Sequence, residues 1–203
     1  AFEDLEIDIL VGTQMLTKGL DFRNVNLVGV MNADNLLNFP DFRAHERSFQ
    51  LMLQVAGRAG RTKKRGKVLI QSYNPHHQII QQVSTNDYAG MYKEQLQERY
   101  NYKYPPYFRL VRLSLKSRDF SKTNEAADWI AKAMQNVFKQ HVLGPEFPPV
   151  ARIRNEYYKN IMLKIPQNQS LAKTKAVLHK ILISFNAISA YRSVRVIVNV
   201  DPM

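Results

Sequence analysis

The chain has 203 residues, 45% of them apolar, enough for a sizeable core in one or two domains of an ordinary globular protein. It has no cysteine, which excludes disulfides and thiolate metal sites, and no apolar run near the roughly 20 residues that span a bilayer. The net charge of +12 is uneven: residues 1–108 carry 13 Lys/Arg against 11 Asp/Glu, residues 109–203 carry 16 against 6. The second half is therefore the attractive surface for nucleic acid or an acidic peptide. The chain opens on Glu3-Asp4-Leu5-Glu6 without an initiator Met or a basic signal peptide, so it reads as a piece of a larger cytoplasmic protein.

Taken in order, Glu6 to Val11 is a short apolar run ending at Gly12, which predicts a buried strand. Thr13 to Phe22 predicts a polar turn or short helix, and Leu27, Val28 and Val30 a second buried strand. Ala44 to Leu53 contains no breaker and predicts a helix, running into Gln54-Val55-Ala56-Gly57-Arg58-Ala59-Gly60-Arg61. Spacings of four and three put Gln54, Arg58 and Arg61 on one helical face. Two guanidiniums aimed together, each beside a glycine, suit bidentate capture of a phosphate. The basic turn Thr62 to Lys67 follows, and Val68, Leu69 and Ile70 predict a third strand. Strands alternating with helices predict a parallel α/β sheet, only part of which lies in this chain.

The octapeptide 54–61 resembles the last signature of the second motor lobe of superfamily 2 helicases. The segment Gly12-Thr13-Gln14-Met15-Leu16-Thr17-Lys18-Gly19-Leu20-Asp21-Phe22 resembles the preceding signature of that lobe. The span with Asp41-Phe42-Arg43-Ala44-His45-Glu46-Arg47 and Phe49-Gln50-Leu51 is similar in detail to the PriA family of replication-restart helicases, also called primosomal protein N-prime, and the rest fits that family's C-terminal region. The resemblance implies an ATP-dependent 3′→5′ DNA helicase that recognises stalled or branched forks and starts primosome assembly. It implies Arg58 and Arg61 as arginine fingers with Gln54 orienting phosphates or water, Gly19, Asp21 and Gly57 toward the nucleotide, and Thr13, Gln14 and Lys18 on the tracked strand. Leu20 stands where the family often has histidine. ATP and Mg²⁺ would be held mainly by a first lobe that is not in this chain: there is no G-x-x-x-x-G-K-[ST] loop and no D-E-x-H-type segment, so the chain should not hydrolyse ATP alone. Zinc is expected only in an upstream cysteine-rich module. Another superfamily 2 translocase, or a non-catalytic binding module with a degenerate lobe, is the alternative.

His76-His77 reads as a loop and helix start, because two adjacent histidines without a further ligand are poor metal spacing. Tyr88 to Arg99 predicts a helix that meets the aromatic stretch Tyr100 to Phe108, where the family has a Pro-Pro joint between motor and tail. The predicted domains are thus 1–73, the end of a RecA-like lobe 2; 74–108, a helical linker; and 109–203, a basic tail. In the tail, Val111, Leu113 and Leu115 alternate with polar residues as a strand. Ser121 is predicted to cap a helix that runs to about His141 with Ala126, Ile130, Ala133 and Val137 on its stripe. Gly144-Pro145 and Pro148-Pro149 punctuate. Val150–Arg154 and Ile161–Ile165 are predicted to pair around residues 155–160. Ser170 is predicted to cap a second helix with Leu171, Leu178, Leu182, Phe185 and Ile188 inward, and a strand follows through Val194, Val196, Val198 and Val200. That order, βαββαβ, is the split βαβ of ferredoxin-like folds. The family resemblance assigns branched-DNA binding to the region of Arg152, Arg154, Tyr157, Tyr158 and Lys159. It assigns the acidic C-terminal peptide of single-stranded DNA-binding protein to the helix opening with Lys173 and Lys175. The implied setting is a monomer at the bacterial replication fork, with no metal held by these residues and no membrane partner.

Overall fold

The computed structural model describes residues 4, 6–13, 25–59 and 66–202, and divides into a unit of residues 1–98 and a unit of residues 99–203. In the first unit, β1 (Leu27–Val30) and β2 (Lys67–Ile70) pair in parallel, Leu27 opposite Lys67 and Val30 opposite Ile70. A parallel pair needs a crossover, which α1 (Asp34–Leu37) and α2 (Ala44–Ala56) lie on. α3 (Gln78–Thr85) and α4 (Tyr88–Asn101) follow. Phe49 and Met52 of α2, Ile79, Ile80 and Val83 of α3, and Met91 of α4 form the core, with Val30 and Ile70 packed against it. The predicted strand at Glu6–Val11 does not form among the described residues: Ile9 and Val11 are exposed and the segment joins no ladder. An apolar run becomes a strand only when a neighbour satisfies its amides, and among the described residues none pairs with it.

α2 opens without a side-chain cap on its first turn. Asp41 does that work from outside the helix: its Oδ1 accepts the Arg43 amide at 2.8 Å and its Oδ2 pairs with Arg47 at 3.3 Å. α3 opens on His77, whose Nδ1 accepts the Ile79 amide at 3.2 Å, so the histidine pair begins a helix as its spacing predicts. Asp34 accepts from the Ser72 hydroxyl at 2.9 Å and the Tyr73 amide at 3.0 Å, tying α1 to the carboxyl end of β2. Those bonds, the Tyr73 amide first, hold its carboxyl below the usual carboxylate pKa.

The second unit is an antiparallel sheet of β4 (Val142–Glu146), β6 (Glu156–Pro166), β3 (Phe108–Ser117) and β7 (Arg195–Val200), in that spatial order. With α5 (Phe120–Phe138) and α6 (Leu171–Asn186) the order is βαββαβ as predicted, the two central strands first and third. The second strand, however, is β4 rather than Val150–Arg154, and Ile161–Ile165 pairs with β3 and β4 instead of that segment. Val111, Leu113, Leu115, Ile161, Leu163 and Ile165 face Ala126, Ile130, Met134, Leu178 and Phe185 in one core. Asp119, and not the predicted Ser121, caps α5, which starts one residue earlier at Phe120, and Ser170 caps α6, each accepting the amide three residues on.

Three details depart from the sequence reading. The Gly144-Pro145 stretch is not a loop but the edge strand β4, with a register shift between Leu143 and Glu146. Gly144 takes φ +91° there, a conformation that glycine alone adopts without strain. The hairpin turns on Arg154 and Asn155, both at positive φ, between the short β5 (Arg152–Ile153) and β6. Two such residues fit the tight turn that matches strand twist, so β6 begins at Glu156 and absorbs the predicted loop. Val137, at the margin of the α5 stripe in its last turn, is 52% exposed, while Met134 is buried.

Candidate functional site

α2 runs into the first residues of the motif 54–61. The Gly57 amide donates to Leu53 O at 2.9 Å, closing the α-helix. The next two amides step back only three residues, Arg58 to Val55 O at 3.0 Å and Ala59 to Ala56 O at 3.1 Å. In that tighter 3₁₀ geometry residues three apart eclipse, so Arg58 comes to lie over Val55. Both line a cavity of about 680 Å³ that runs along β1. Thr13, Asn32 and Asn35 line it too, the asparagines just beyond the carboxyl end of β1. Ligands in open α/β sheets lie at the carboxyl ends of strands. Thr13 and Arg58, distant in sequence, are thus brought to one cavity. Gln54 is exposed, one turn back, and does not line it. Gly57 has φ −66°, and a Cβ there would find its nearest neighbour, Leu53 O, at 3.4 Å. The fold itself therefore admits a side chain at Gly57. Gln14, Lys18, Gly19, Asp21 and Arg61 lie outside the described residues.

In the second unit the hairpin places Arg152, Arg154, Tyr157 and Lys159 at one end of the sheet. Arg154 occupies the turn, exposed. Arg152 donates to Asn155 Oδ1 at 2.9 Å and its guanidinium lies 5.1 Å from the Tyr157 ring centre. Tyr157 and Lys159 stand opposite Ser117 and Leu115, on the helix-facing side of the sheet but beyond the core. Tyr158, on the other side, neighbours the ion pair of Lys116 and Glu156 at 2.7 Å. That bond raises the lysine pKa and lowers the glutamate's. Lys173 and Lys175 are exposed among the first five residues of α6, which begins five residues past the other end of β6. Seven residue steps of β6 at ~3.3 Å each separate Lys159 from Pro166 by roughly 23 Å, with Arg154 further along, so the two basic groups lie toward opposite ends of that strand. They are separate surfaces.

The aromatic stretch before β3 is engaged locally. The Lys164 ammonium, 7% exposed as a residue, donates to Tyr102 O at 2.6 Å and stands 3.7 Å from the Tyr104 ring centre. Burial, with Lys103 nearby, lowers its pKa. Gln167 donates to Pro106 O, and Tyr100 meets Tyr107 edge-on at 5.3 Å. These contacts bind the Pro-Pro segment to the end of β6. Among the described residues no group of three or more His, Cys, Asp or Glu is gathered for a metal, and no helix is long and apolar enough to cross a membrane.

Residues 100–203 match the Primosomal protein N C-terminal domain, just over half of the chain. The chain belongs to the PriA family. Residues 1–63 also match the Helicase conserved C-terminal domain, so PriA's lobe-then-tail order is present. The replication restart protein PriA of Bacillus subtilis (strain 168) is 39% identical over the whole chain, which covers 25% of that protein. The PriA of Synechocystis is 43% identical over 81% of the chain and 20% of its own length. That of Treponema pallidum is 42% identical over 79% of the chain and 25% of its own length. The chain thus spans about a quarter of the PriA relatives it matches.

Two residues beside the hairpin escaped the sequence reading. Phe120, the first residue of α5, stacks on Phe147 and meets Tyr157 edge-on. A helix-start phenylalanine and one between Glu146 and Pro148 carry no periodic signal, so only the folded sheet pairs them.

Proposed function

We propose that this chain is the C-terminal part of an ATP-dependent 3′→5′ DNA helicase that recognises branched forks and starts primosome assembly. The observation that carries this reading is the shared cavity of Thr13 and Arg58 in a lobe that matches the helicase C-terminal domain. Arg58 reaches toward the γ-phosphate as an arginine finger, where charge accumulates during phosphoryl transfer. Arg61 joins it as the second finger, Gln54 orients the phosphates or the attacking water, and Gly57 lets the nucleotide approach the backbone, with Gly19 and Asp21 on the nucleotide side. Thr13, Gln14 and Lys18 hold the tracked strand. Mg²⁺ and most of the ATP contacts belong to a first lobe, so the chain by itself is inactive. The hairpin of Arg152, Arg154, Tyr157 and Lys159 meets fork DNA. Lys173 and Lys175, on their separate surface, receive an acidic peptide such as the tail of single-stranded DNA-binding protein. A bacterial cytoplasmic setting at the fork follows from those partners.

The test is Arg58→Ala in the full-length protein, with DNA-stimulated ATP hydrolysis and nucleotide binding measured together. Turnover should fall about 10³-fold or more, with nucleotide binding changed less than tenfold. Unchanged turnover would refute the finger assignment and favour a binding module with a degenerate lobe.

A further inference from the structure

The hairpin end of the second unit holds a cluster that no phosphate-binding role explains. The rings of Phe120 and Phe147 are stacked, 5.9 Å between centres and 4° from parallel, and Tyr157 closes against Phe120 edge-on at 5.3 Å. Phe120 is 49% and Phe147 44% exposed. None of the three belongs to the core of this unit. The Lys159 ammonium stands 4.8 Å from the Phe147 ring centre and the Arg152 guanidinium 5.1 Å from that of Tyr157. Arg154 in the turn and Arg118 after β3 add two more cations. Of the carboxylates around them, Asp119 caps α5 and lies 3.9 Å from Lys122, and Glu156 is bound to Lys116; Glu146 precedes Phe147 in the chain. Half-exposed aromatic faces among cations are what unpaired nucleotides use, with bases on the rings and phosphates on the side chains. A duplex keeps its bases stacked on one another and offers such rings nothing.

We propose that Phe120, Phe147 and Tyr157 form a stacking site for unpaired bases, with Arg152, Arg154 and Lys159 holding the phosphates of the same strand. This rests on the reading that the basic unit binds fork DNA, and it assigns the unpaired strand at the branch to this end of the sheet. The positive surroundings favour a polyanion, and the flat rings favour a polyanion whose repeating unit is flat.

The test uses the whole 203-residue chain and a single-stranded oligothymidylate carrying one central 2-aminopurine, titrated over a salt series. A blunt duplex of equal length is the comparison. Wild type should quench the 2-aminopurine and prefer the single strand. Phe120→Leu and Phe147→Leu should each weaken it roughly 10- to 100-fold and abolish quenching, leaving the salt slope in place. Arg152→Gln with Lys159→Gln should flatten that slope by roughly 1.4. Trp129 fluorescence melting checks that the variants fold, and Phe147→Leu, outside any helix, stands alone if Phe120→Leu loosens the start of α5. Binding of both DNAs by wild type with the leucine variants unchanged overturns the stacking site and leaves fork-DNA binding standing. Binding of neither DNA at low salt overturns both, as would an acidic peptide captured in their place.

Discussion

Gly144→Ala separates a glycine required by the fold from one that the fold does not need. At φ +91° an L side chain is strained by about 1–3 kcal/mol. The added Cβ would lie 2.8 Å from Asn160 O and 3.2 Å from the Glu146 amide nitrogen, both backbone atoms. Relieving that contact means moving β4 away from β6, at about 1–3 kcal/mol more by analogy with other overpacked sites. The second unit should therefore lose roughly 2–6 kcal/mol, which for a domain of this size lowers its midpoint by roughly 10–30 °C. Trp129, the one tryptophan, lies 5.9 Å from Phe185 in the core of this unit, so its fluorescence reports that melting transition. Gly57→Ala is the control. Its φ is ordinary and its nearest neighbour 3.4 Å away, so stability should stay within about 1 kcal/mol of wild type. In the full-length protein the same control reports on ligand approach: a stable Gly57→Ala protein that loses ATP hydrolysis places the nucleotide against that backbone. A Gly144→Ala chain that melts within about 3 °C of wild type would refute the strain and contact argument.

Two further predictions concern the cores of the units. Ile130→Ala should cost about 2–5 kcal/mol, since its side chain is fully buried between α5 and the sheet; Val137→Ala, from the same predicted stripe, should cost under about 1 kcal/mol, as read from urea midpoints of Trp129 fluorescence. His77 gives a pH dependence. Burial first, and then His45, push its pKa below the ordinary histidine value against the opposing pull of Asp34 and Glu98. The unfolded chain therefore binds the proton more readily, so His77's contribution is present above about pH 6.5 and is lost as pH falls through that value. Protonation also occupies the Nδ1 that caps α3. Melts of the first unit followed by circular dichroism should fall between pH 7 and 5, and His77→Asn, a neutral cap, should fall less. Parallel pH profiles for the two proteins would sink this assignment.

Much of this protein was readable as sequence because local chemistry sufficed. The alternation at Val111, Leu113 and Leu115 needs only the two-residue strand repeat, and Ser170 and the unbroken run after Ala44 need only helix-end and helix-interior preferences. The βαββαβ order follows from those signals, the signatures at 12–22 and 54–61 carried the helicase superfamily, and the span from Asp41 to Leu51 carried the PriA family. The unit of residues 99–203, and not a boundary at residue 108, is a product of contacts: Lys164 and Gln167 bind the Pro-Pro segment to the end of β6.

Pairing and packing decided what lay beyond local chemistry. Glu6–Val11 has the composition of a strand, but a strand exists only with a neighbour. The valines of β7 alternate as expected, yet Val200 is 62% exposed, because an edge strand is covered only as far as the helices reach. The tightening of the chain after Gly57 turned Arg58 over Val55 and into the cavity, away from Gln54. Phe120 and Phe147 became neighbours only when α5, β4 and β6 closed on one another. A sequence encodes the preferences of each segment with its own neighbours along the chain. Which surfaces those segments share is set by hydrogen-bond partners and core contacts far away in the chain, and that is why the fold alone determined the sites' membership.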